Sequence, residues 1–266
     1  MQQLINLSFT TRVSFVVCVI DDFNGERVRN GNIMITLAET PKRPLRKKEG
    51  IFVFIDLDSM VYTLMINSDI YFSQTLTVDP DKLDPRDPVI YVRLKPLPSY
   101  SFSSAATLIR GKLINKTDGI LRDAAIRATV KTRECAKGRI IQDNVSQGSK
   151  ELSFARLNGK VTEGETLLIE EKNMEQCEIC RISRLQGDNS FELFEPLAFD
   201  HARGIFLLPV TETMPDERGE MVIYFFNMRV PSIEVELQIC HEGGVETIQY
   251  EIIAGSTRNL GTLKIM

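Results

Sequence analysis

The stretch VVCVIDDFNG, at residues 16–25, contains an apolar run that is followed at once by a turn sequence. Residues 16–20 predict a buried strand, because β-branched residues favour strands and the run is far shorter than the roughly 20 residues of a membrane span. Asn24-Gly25 and Asn30-Gly31 predict tight turns, since Asn and Gly adopt positive φ at little cost. Apolar residues then occupy alternate positions in residues 33–37, which is the period of a half-buried strand.

The same order of features returns further along the chain. The stretch LIRGKLINKTDG, at residues 108–119, again predicts a strand and a turn. The two turn glycines, Gly25 and Gly119, are 94 positions apart. Each copy also has a glycine that opens an apolar strand, GIFVF at 50–54 and GEMVIYF at 219–225. The pattern therefore indicates an internal duplication.

Other segments of the chain alternate with a period of two. They lie at residues 51–55, 62–66, 76–78 and 90–94. Few segments show the 3.6-residue apolar period of an amphipathic helix. We therefore predict an all-β protein.

These signatures carry a family resemblance. The order Asp-x-x-Asn-Gly, Val, Gly, Ile-x-Ile-x-Leu, followed by Gly-x-Phe-x-Phe, is similar to that of the carboxypeptidase regulatory-like, transthyretin-like β-sandwich. Residues 12–96 match this pattern well, and residues 107–130 with 212–266 match it more loosely. The spacing after the turn departs from the family pattern by one residue in each copy. The first copy has one extra residue between Gly25 and Gly31, and the second has one residue fewer after Gly119. The resemblance implies a small sandwich of seven or eight strands that serves as an accessory or interaction module.

The duplication and the linker composition together define the expected domains. We predict two tandem prealbumin-like or Ig-like β-sandwich domains, at residues 1–96 and 107–266. Residues 97–106 form a Pro- and Ser-rich linker between them. A β-rich insertion interrupts the second domain at about 138–211, as a small barrel or an extended hairpin. Insertions in sandwich loops often carry a recognition surface.

The charge balance disfavours a general affinity for polyanions. Lys and Arg number 32 and Asp and Glu number 36, so the net charge is −4. Such a chain has no overall field that attracts nucleic acid or anionic lipid. We therefore expect protein partners, in a homo-oligomer or a larger assembly, with no nucleic acid and no membrane insertion.

The five cysteines are an odd number scattered over the chain, which is typical of a reducing compartment. The early apolar run has neither a basic n-region nor a small-residue cleavage site. We expect cytoplasmic synthesis without a signal peptide. Assembly into an exported or virion-like structure stays open.

Cys177 and Cys180 have the C-x-x-C spacing of a zinc half-site or a redox motif. The surrounding sequence is strand-like, and residues three apart in a strand face opposite sides of the sheet. The sequence has no second C-x-x-C and no spaced His pair to complete a site. We favour one buried and one exposed thiol, and we expect no metal and no cofactor.

Catalysis by imidazole would depend on His201 or His241, the two histidines of the chain. Cys240 and His241 do not pair directly, because adjacent strand residues face opposite sides. An enzyme would need a cleft that joins one imidazole with carboxylates from the insertion. Glycine-rich phosphate loops, nucleophile elbows and HExxH motifs are lacking in the sequence. We therefore expect no catalytic residue.

Oxygen-bearing side chains gather at the first turn. They are Asp21, Asp22, Asn24 and Glu26. Hard oxygen ligands suit calcium, but the spacing lacks the twelve-residue pattern of a calcium loop. Turn chemistry explains Asp and Asn here without a metal.

A basic run, PKRPLRKK at residues 41–48, follows the second predicted strand. We predict that it is a partner-contacting loop formed by Lys42, Arg43, Arg46, Lys47 and Lys48. A solvated hairpin tip is the alternative. No aromatic residue interleaves the charges, which disfavours single-stranded nucleic acid.

These features favour a non-catalytic structural or adaptor protein that mediates protein–protein assembly. Sheet edges, hairpin tips and the insertion would provide the contacts, including strand addition. A subunit of a phage-tail-like or contractile machine fits such a chain by fold-level analogy. The alternative is a carbohydrate- or polymer-binding accessory module, which the absence of Trp disfavours.

Overall fold

Regular structure in this chain consists almost wholly of β-strands. The computed structural model describes residues 11–29, 32–171, 173–226 and 228–265, so the predicted turn at Asn30-Gly31 lies outside the described residues. The helical segments of the described part are three short 3-10 turns, Pro80–Lys82, Arg133–Cys135 and Met174–Gln176. None of them is long and apolar enough to cross a bilayer. The all-β prediction is confirmed.

The chain divides into two compact units, and the first comprises the described residues up to Asp21 and those from Glu26 to Leu94. Its strands are β1 (Val13–Asp21), β2 (Ile33–Leu37), β3 (Leu45–Arg46), β4 (Ile51–Ile55), β5 (Tyr62–Ser68), β6 (Gln74–Val78) and β7 (Val89–Leu94). They form two sheets, in the orders β3-β4-β1-β7 and β2-β5-β6. β1 runs antiparallel to β4 and parallel to β7.

The core of the first unit follows from the alternation in its strands. β4 buries Phe52 and Phe54, and β5 buries Leu64 and Ile66. Phe15 of β1 packs on Phe54, with 4.8 Å between the ring centroids. β1 is buried along almost its whole length, which explains why its sequence is a continuous apolar run.

The second unit comprises Asp22–Gly25 and the described residues from Lys95 onward. Its strands are β8 (Thr107–Ile114), β9 (Ala125–Val130), β10 (Gly138–Ile140), β11 (Asn144–Val145), β12 (Glu151–Arg156), β13 (Thr166–Glu170), β14 (Glu178–Leu185), β15 (Ser190–Leu193), β16 (His201–Ala202), β17 (Phe206–Thr213), β18 (Glu220–Phe225), β19 (Ser232–His241), β20 (Gly244–Ile253) and β21 (Thr257–Lys264). They include a sheet β18-β8-β21 and a nine-stranded sheet that ends in β9-β19-β20.

The pairing of the second unit repeats that of the first. β8 runs antiparallel to β18 and parallel to β21, as β1 does with β4 and β7. β19 lies between β9 and β20 with antiparallel partners on both sides, as β5 does between β2 and β6. The two copies that the sequence indicates therefore share one sandwich topology.

The insertion in the second copy closes into a small barrel. The strands β10, β12, β15, β14, β13 and β17 pair in that order, and β17 pairs with β10 again. All six pairs are antiparallel. The interior is filled by apolar side chains, including Phe154, Leu167, Ile182, Phe191 and Leu207. Of the two forms expected for the insertion, the structure shows the barrel.

Residues 97–106, predicted as a linker, pack within the second unit. The ring centroid of Phe102 lies 5.1 Å from that of Phe23. Arg110 of β8 donates a 2.8 Å hydrogen bond to the Pro98 carbonyl, and its guanidinium lies 5.6 Å from the Phe102 ring. Aromatic packing therefore holds this segment against the sheet that contains β8.

One glycine in each copy makes a contact that leaves no room for a side chain. Gly50 and Gly219 lie beside β4 and β18 with φ of 68° and 78°. Their carbonyls accept 2.8 Å hydrogen bonds from the central strands, from the amides of Val19 and Leu113. A Cβ would lie 2.9 Å from the Val19 oxygen in one case and 2.8 Å from the Leu113 oxygen in the other. The positive φ and the close backbone together require glycine.

We expect Gly219→Ala to lower the free energy of unfolding of the second unit by about 3 kcal/mol, because the left-handed conformation strains an alanine and the methyl meets a backbone carbonyl. Gly187→Ala is the matched control, since Gly187 has the same φ of 78° and no atom within 4 Å of a Cβ. The control should lose about 1 kcal/mol. Urea unfolding measures both variants, and equal losses would contradict the close-contact argument.

Candidate functional site

The predicted partner-contacting residues lie between β2 and β4 of the first unit. All five are exposed, namely Lys42, Arg43, Arg46, Lys47 and Lys48. β3 carries Arg46 at the edge of its sheet, with the guanidinium 5.7 Å from the Phe52 ring. The run is thus part edge strand and part loop. The use of these charges by a partner stays a prediction.

A shallow groove of about 360 Å³ opens beside the basic run and is lined by residues 36–43. The Lys42 ammonium donates a hydrogen bond to the Asp56 carbonyl, which fixes this side chain at the groove. Glu39 accepts hydrogen bonds from the Thr63 amide at 2.9 and 3.0 Å, and these bonds lower the pKa of Glu39. The groove therefore combines one firmly ionised carboxylate with two cations.

The C-x-x-C pair separates into two environments. Cys180 lies on β14 in the barrel core, whereas Cys177 precedes that strand and is half-buried. The Cys177 thiol donates to the Glu171 carbonyl, with 3.5 Å between sulfur and oxygen. Burial raises the pKa of Cys180 to about 12. Within the described residues, no group of three or more His, Cys, Asp or Glu side chains is arranged to hold a metal.

We expect iodoacetamide at pH 8 to modify Cys177 and Cys240, which are both half-buried, and to spare Cys180 in the folded chain. The thiolate is the reactive form, and a thiol with a pKa of about 12 carries almost none at pH 8. Peptide mapping by mass spectrometry measures the order of modification. Labelling of Cys180 before the barrel unfolds would contradict this assignment.

A buried cluster of polar groups joins three parts of the insertion. The His201 ring has no exposed surface, and its Nδ1 lies 3.0 Å from Oε1 of Glu171. Its Nε2 lies 2.6 Å from Oε1 of Glu178. The Glu178 carboxylate also accepts hydrogen bonds from the amides of Ala198 and Phe199, at 2.8 and 3.1 Å. Both nitrogens of the imidazole are therefore engaged inside the insertion.

An enzyme would need an imidazole close to carboxylates and also open to a cleft. The cluster has the first feature and lacks the second. The structure does bring His201 together with carboxylates from the insertion, Glu171 and Glu178. The His201 ring is fully buried, which favours a structural role over proton transfer to a substrate.

Removal of the imidazole leaves two largely buried carboxylates without their shared partner. Their side chains are only 13% and 12% exposed. We expect His201→Ala to lower the free energy of unfolding of the insertion by about 3 kcal/mol. His241→Ala is the control, because the half-buried His241 ring only accepts the Gly243 amide. Hydrogen–deuterium exchange of the barrel strands reports the effect. Equal protection in the two variants would contradict the assignment of a structural role to His201.

The oxygen-bearing side chains of the first turn are divided between the two units. Asp21 belongs to the first unit, where its carboxylate accepts a 2.9 Å hydrogen bond from the Tyr71 hydroxyl. Asp22 belongs to the second unit, where it accepts a 2.5 Å hydrogen bond from the Tyr224 hydroxyl. These two carboxylates therefore take part in structural hydrogen bonds within their own units.

β20 forms an open edge of the nine-stranded sheet. It pairs with β19 at all of its positions without a register shift, and no described strand lies on its other side. The Ala254 amide donates to the Pro231 carbonyl, which sets the alternation of this ladder. The backbone groups of every second residue consequently point to the open side, namely those of Val245, Thr247, Gln249, Glu251 and Ile253.

Three other edge strands in the described chain, β3, β6 and β21, carry features that discourage strand pairing, and the edge strands β2, β7 and β18 have six residues or fewer. β3 has two residues and follows Pro44, and β6 ends two residues before Pro80. β21 shifts register between Asn259 and Thr262. Natural sheets use short strands, prolines and bulges at edges to prevent unwanted association. β20 has ten residues, the longest edge strand described, and contains no Pro, Lys or Arg.

Comparisons with known proteins identify no family. No family model matches the chain, and no curated protein matches it. A mutant of the shaft pilin SpaA from Lactobacillus rhamnosus GG aligns over 95% of this chain and 99% of its own, with 9% identity and a TM-score of 0.24. A variant of BcpA, the major pilin subunit of Bacillus cereus, aligns over 94% and 70%, with 7% identity and a TM-score of 0.25. The Bacillus anthracis TIE protein aligns over 94% and 50%, with 10% identity and a TM-score of 0.24. TM-scores this low do not establish a relationship between this chain and the three proteins.

Proposed function

We propose that this chain is a non-catalytic structural or adaptor subunit that assembles with other protein chains. The observation that carries the proposal is the open edge of β20, a ten-residue strand with no described strand on its outer side. Two of its outward carbonyls, those of Glu251 and Ile253, accept hydrogen bonds from Arg258 and Ser256, and no hydrogen bond within the described chain is assigned to the others. Such an edge binds an extended strand through main-chain hydrogen bonds. The closed environment of His201 supports a non-catalytic role, because both ring nitrogens are occupied within the fold.

The tandem transthyretin-like assignment belongs to the same proposal. The repeated order of antiparallel and parallel pairs around β1 and β8 supports two related sandwiches. We extend the proposal to a multi-subunit host, of which a phage-tail-like or contractile machine is the kind that such a chain would suit. This extension rests on fold-level analogy.

The basic run supplies a second contact surface in the proposal. It occupies the connection between β2 and β4, and the barrel occupies the corresponding connection between β9 and β18. The two copies of the sandwich thus differ most at one equivalent loop. Loops on a rigid scaffold carry binding surfaces more often than the strands do. We assign partner contact to the charges of this run, with an acidic protein surface as the matching chemistry.

Charge reversal at Lys47 and Lys48 tests the basic surface. We expect Lys47→Glu with Lys48→Glu to reduce capture of the native partner about tenfold, because each substitution turns an attraction into a repulsion. Higher salt should weaken the wild-type interaction, since exposed charges are screened over about 10 Å at 0.1 M. Quantitative mass spectrometry after cross-linking of the tagged full chain in its native source measures capture.

The matched control reverses the same number of charges elsewhere on the first unit. Lys82→Glu with Arg86→Glu changes two exposed cations outside the basic run. Capture should stay within about twofold of the wild type. Equal losses in both variants would remove the basic surface from the proposal. A chain that cross-links to no protein, including itself, would overturn the assembly function.

A further inference from the structure

We propose that β20 pairs with β20 of a second copy of this chain, antiparallel, across a two-fold axis at Gln249. The inference rests on the proposed assembly function and deepens it, because it names one partner and one contact. Three properties of the strand carry it. They are the direction of its outward backbone groups, the placement of its exposed apolar side chains and the positions of its carboxylates.

The backbone of β20 suits a symmetric pair. Its outward-facing residues lie at every second position from Val245 to Ile253, with Gln249 in the middle. In a pair centred on Gln249, Val245 stands opposite Ile253, Thr247 opposite Glu251, and Gln249 opposite its own copy. Gln249 then exchanges two hydrogen bonds with its copy, and the carbonyls of Thr247 and Val245 gain the amides of Glu251 and Ile253. The carbonyls of Glu251 and Ile253 already accept from Arg258 and Ser256. The nine-stranded sheet of one copy continues into that of the other, which is an isologous contact.

The exposed apolar side chains are placed for the same pair. Val245 is 61% exposed and Ile253 is 69% exposed, the highest values among the exposed large hydrophobic residues of the described chain. They lie four positions to either side of Gln249, opposite Cys240 and Ser232 of β19 on the face turned away from the core. Antiparallel pairing brings Val245 of each copy against Ile253 of the other. Directly opposed apolar side chains stabilise neighbouring strands.

The carboxylates select this register. Glu251 stands opposite Thr247, a hydrogen-bond donor, and Glu246 stands opposite Ile252, so no two carboxylates face each other directly. A shift of one copy by two residues separates Val245 from Ile253. The shift places either Val245 opposite Glu251 or Ile253 opposite Thr247, and both apolar contacts are lost. The sequence of β20 is therefore self-complementary in one register.

The association of the full chain tests the pairing. Sedimentation equilibrium from about 1 to 100 µM should show a monomer–dimer equilibrium. Gln249→Pro removes the outward amide at the axis, which an edge strand tolerates, and should raise the dissociation constant about a hundredfold. Gln249→Val keeps the amide and should stay within about threefold of the wild type. Circular dichroism and the melting temperature of the monomer verify that both variants fold.

A charge swap tests the register. Val245→Lys alone and Ile253→Glu alone should each weaken the dimer about tenfold, because each puts a charge opposite an apolar side chain at two symmetric places. The double variant places the introduced lysine of one copy opposite the introduced glutamate of the other, and the dimer should recover to within about threefold of the wild type. The two positions lie at opposite ends of β20, so the recovery has no source within one chain.

Each of three results overturns the inference. They are a wild-type chain that stays monomeric at about 100 µM, a dimer that Gln249→Pro leaves intact, and single variants that dissociate without rescue in the double variant. The assembly function itself survives all three results if the chain still cross-links to another protein in its native source. It fails only if no protein contact of any kind is found.

Discussion

In each copy of the sandwich, a glycine carbonyl accepts a hydrogen bond from the central strand at a point where a Cβ would meet backbone oxygen. The contact fixes where β4 begins beside β1, and where β18 begins beside β8. Because side chains alternate along a strand, this starting point decides which residues face the core. The burial of Phe52 and Phe54 in one copy, and of Met221 and Ile223 in the other, follows from it.

The two copies of the sandwich differ in the segment that precedes this glycine. In the first, the connection before the glycine is a short basic edge strand, whereas in the second it is a closed barrel with its own apolar core. The sandwich tolerates so large an insertion because the strands on either side keep their partners. The barrel also has its own buried polar contact, in which the His201 imidazole lies between Glu171 and Glu178.

Local patterns predicted the strands and the duplication, because the information lies in neighbouring residues. The alternation in β4 and β5 and the glycines at residues 50 and 219 were sufficient for an all-β fold. The partners of His201 are 30 and 23 positions away along the chain, so only the closed barrel brings them together. Barrel closure depends in turn on the pairing of β10 with β17, which no local pattern encodes.

The open edge of β20 could not be predicted from local sequence patterns either. The structure has a tight hairpin around Gly243-Gly244 between β19 and β20. Whether β20 has a second neighbour depends on the order of the whole sheet. The lack of Pro, Lys and Arg in residues 244–253 was a signal available in the sequence. It has meaning only for a strand that is known to lie at an edge.

The parallel pairing of β8 with β21 has a consequence for biosynthesis. The first unit has all seven of its strands once residue 94 has been synthesised, and it can complete its sheets while translation continues. The second unit places its first strand, β8, between two strands that are made only after the entire barrel. The barrel can therefore fold on the ribosome ahead of the sandwich that surrounds it. β8 lacks a partner on both sides until β18 emerges, and on one side until β21 emerges. In this interval a nascent chain of this design most needs protection from aggregation.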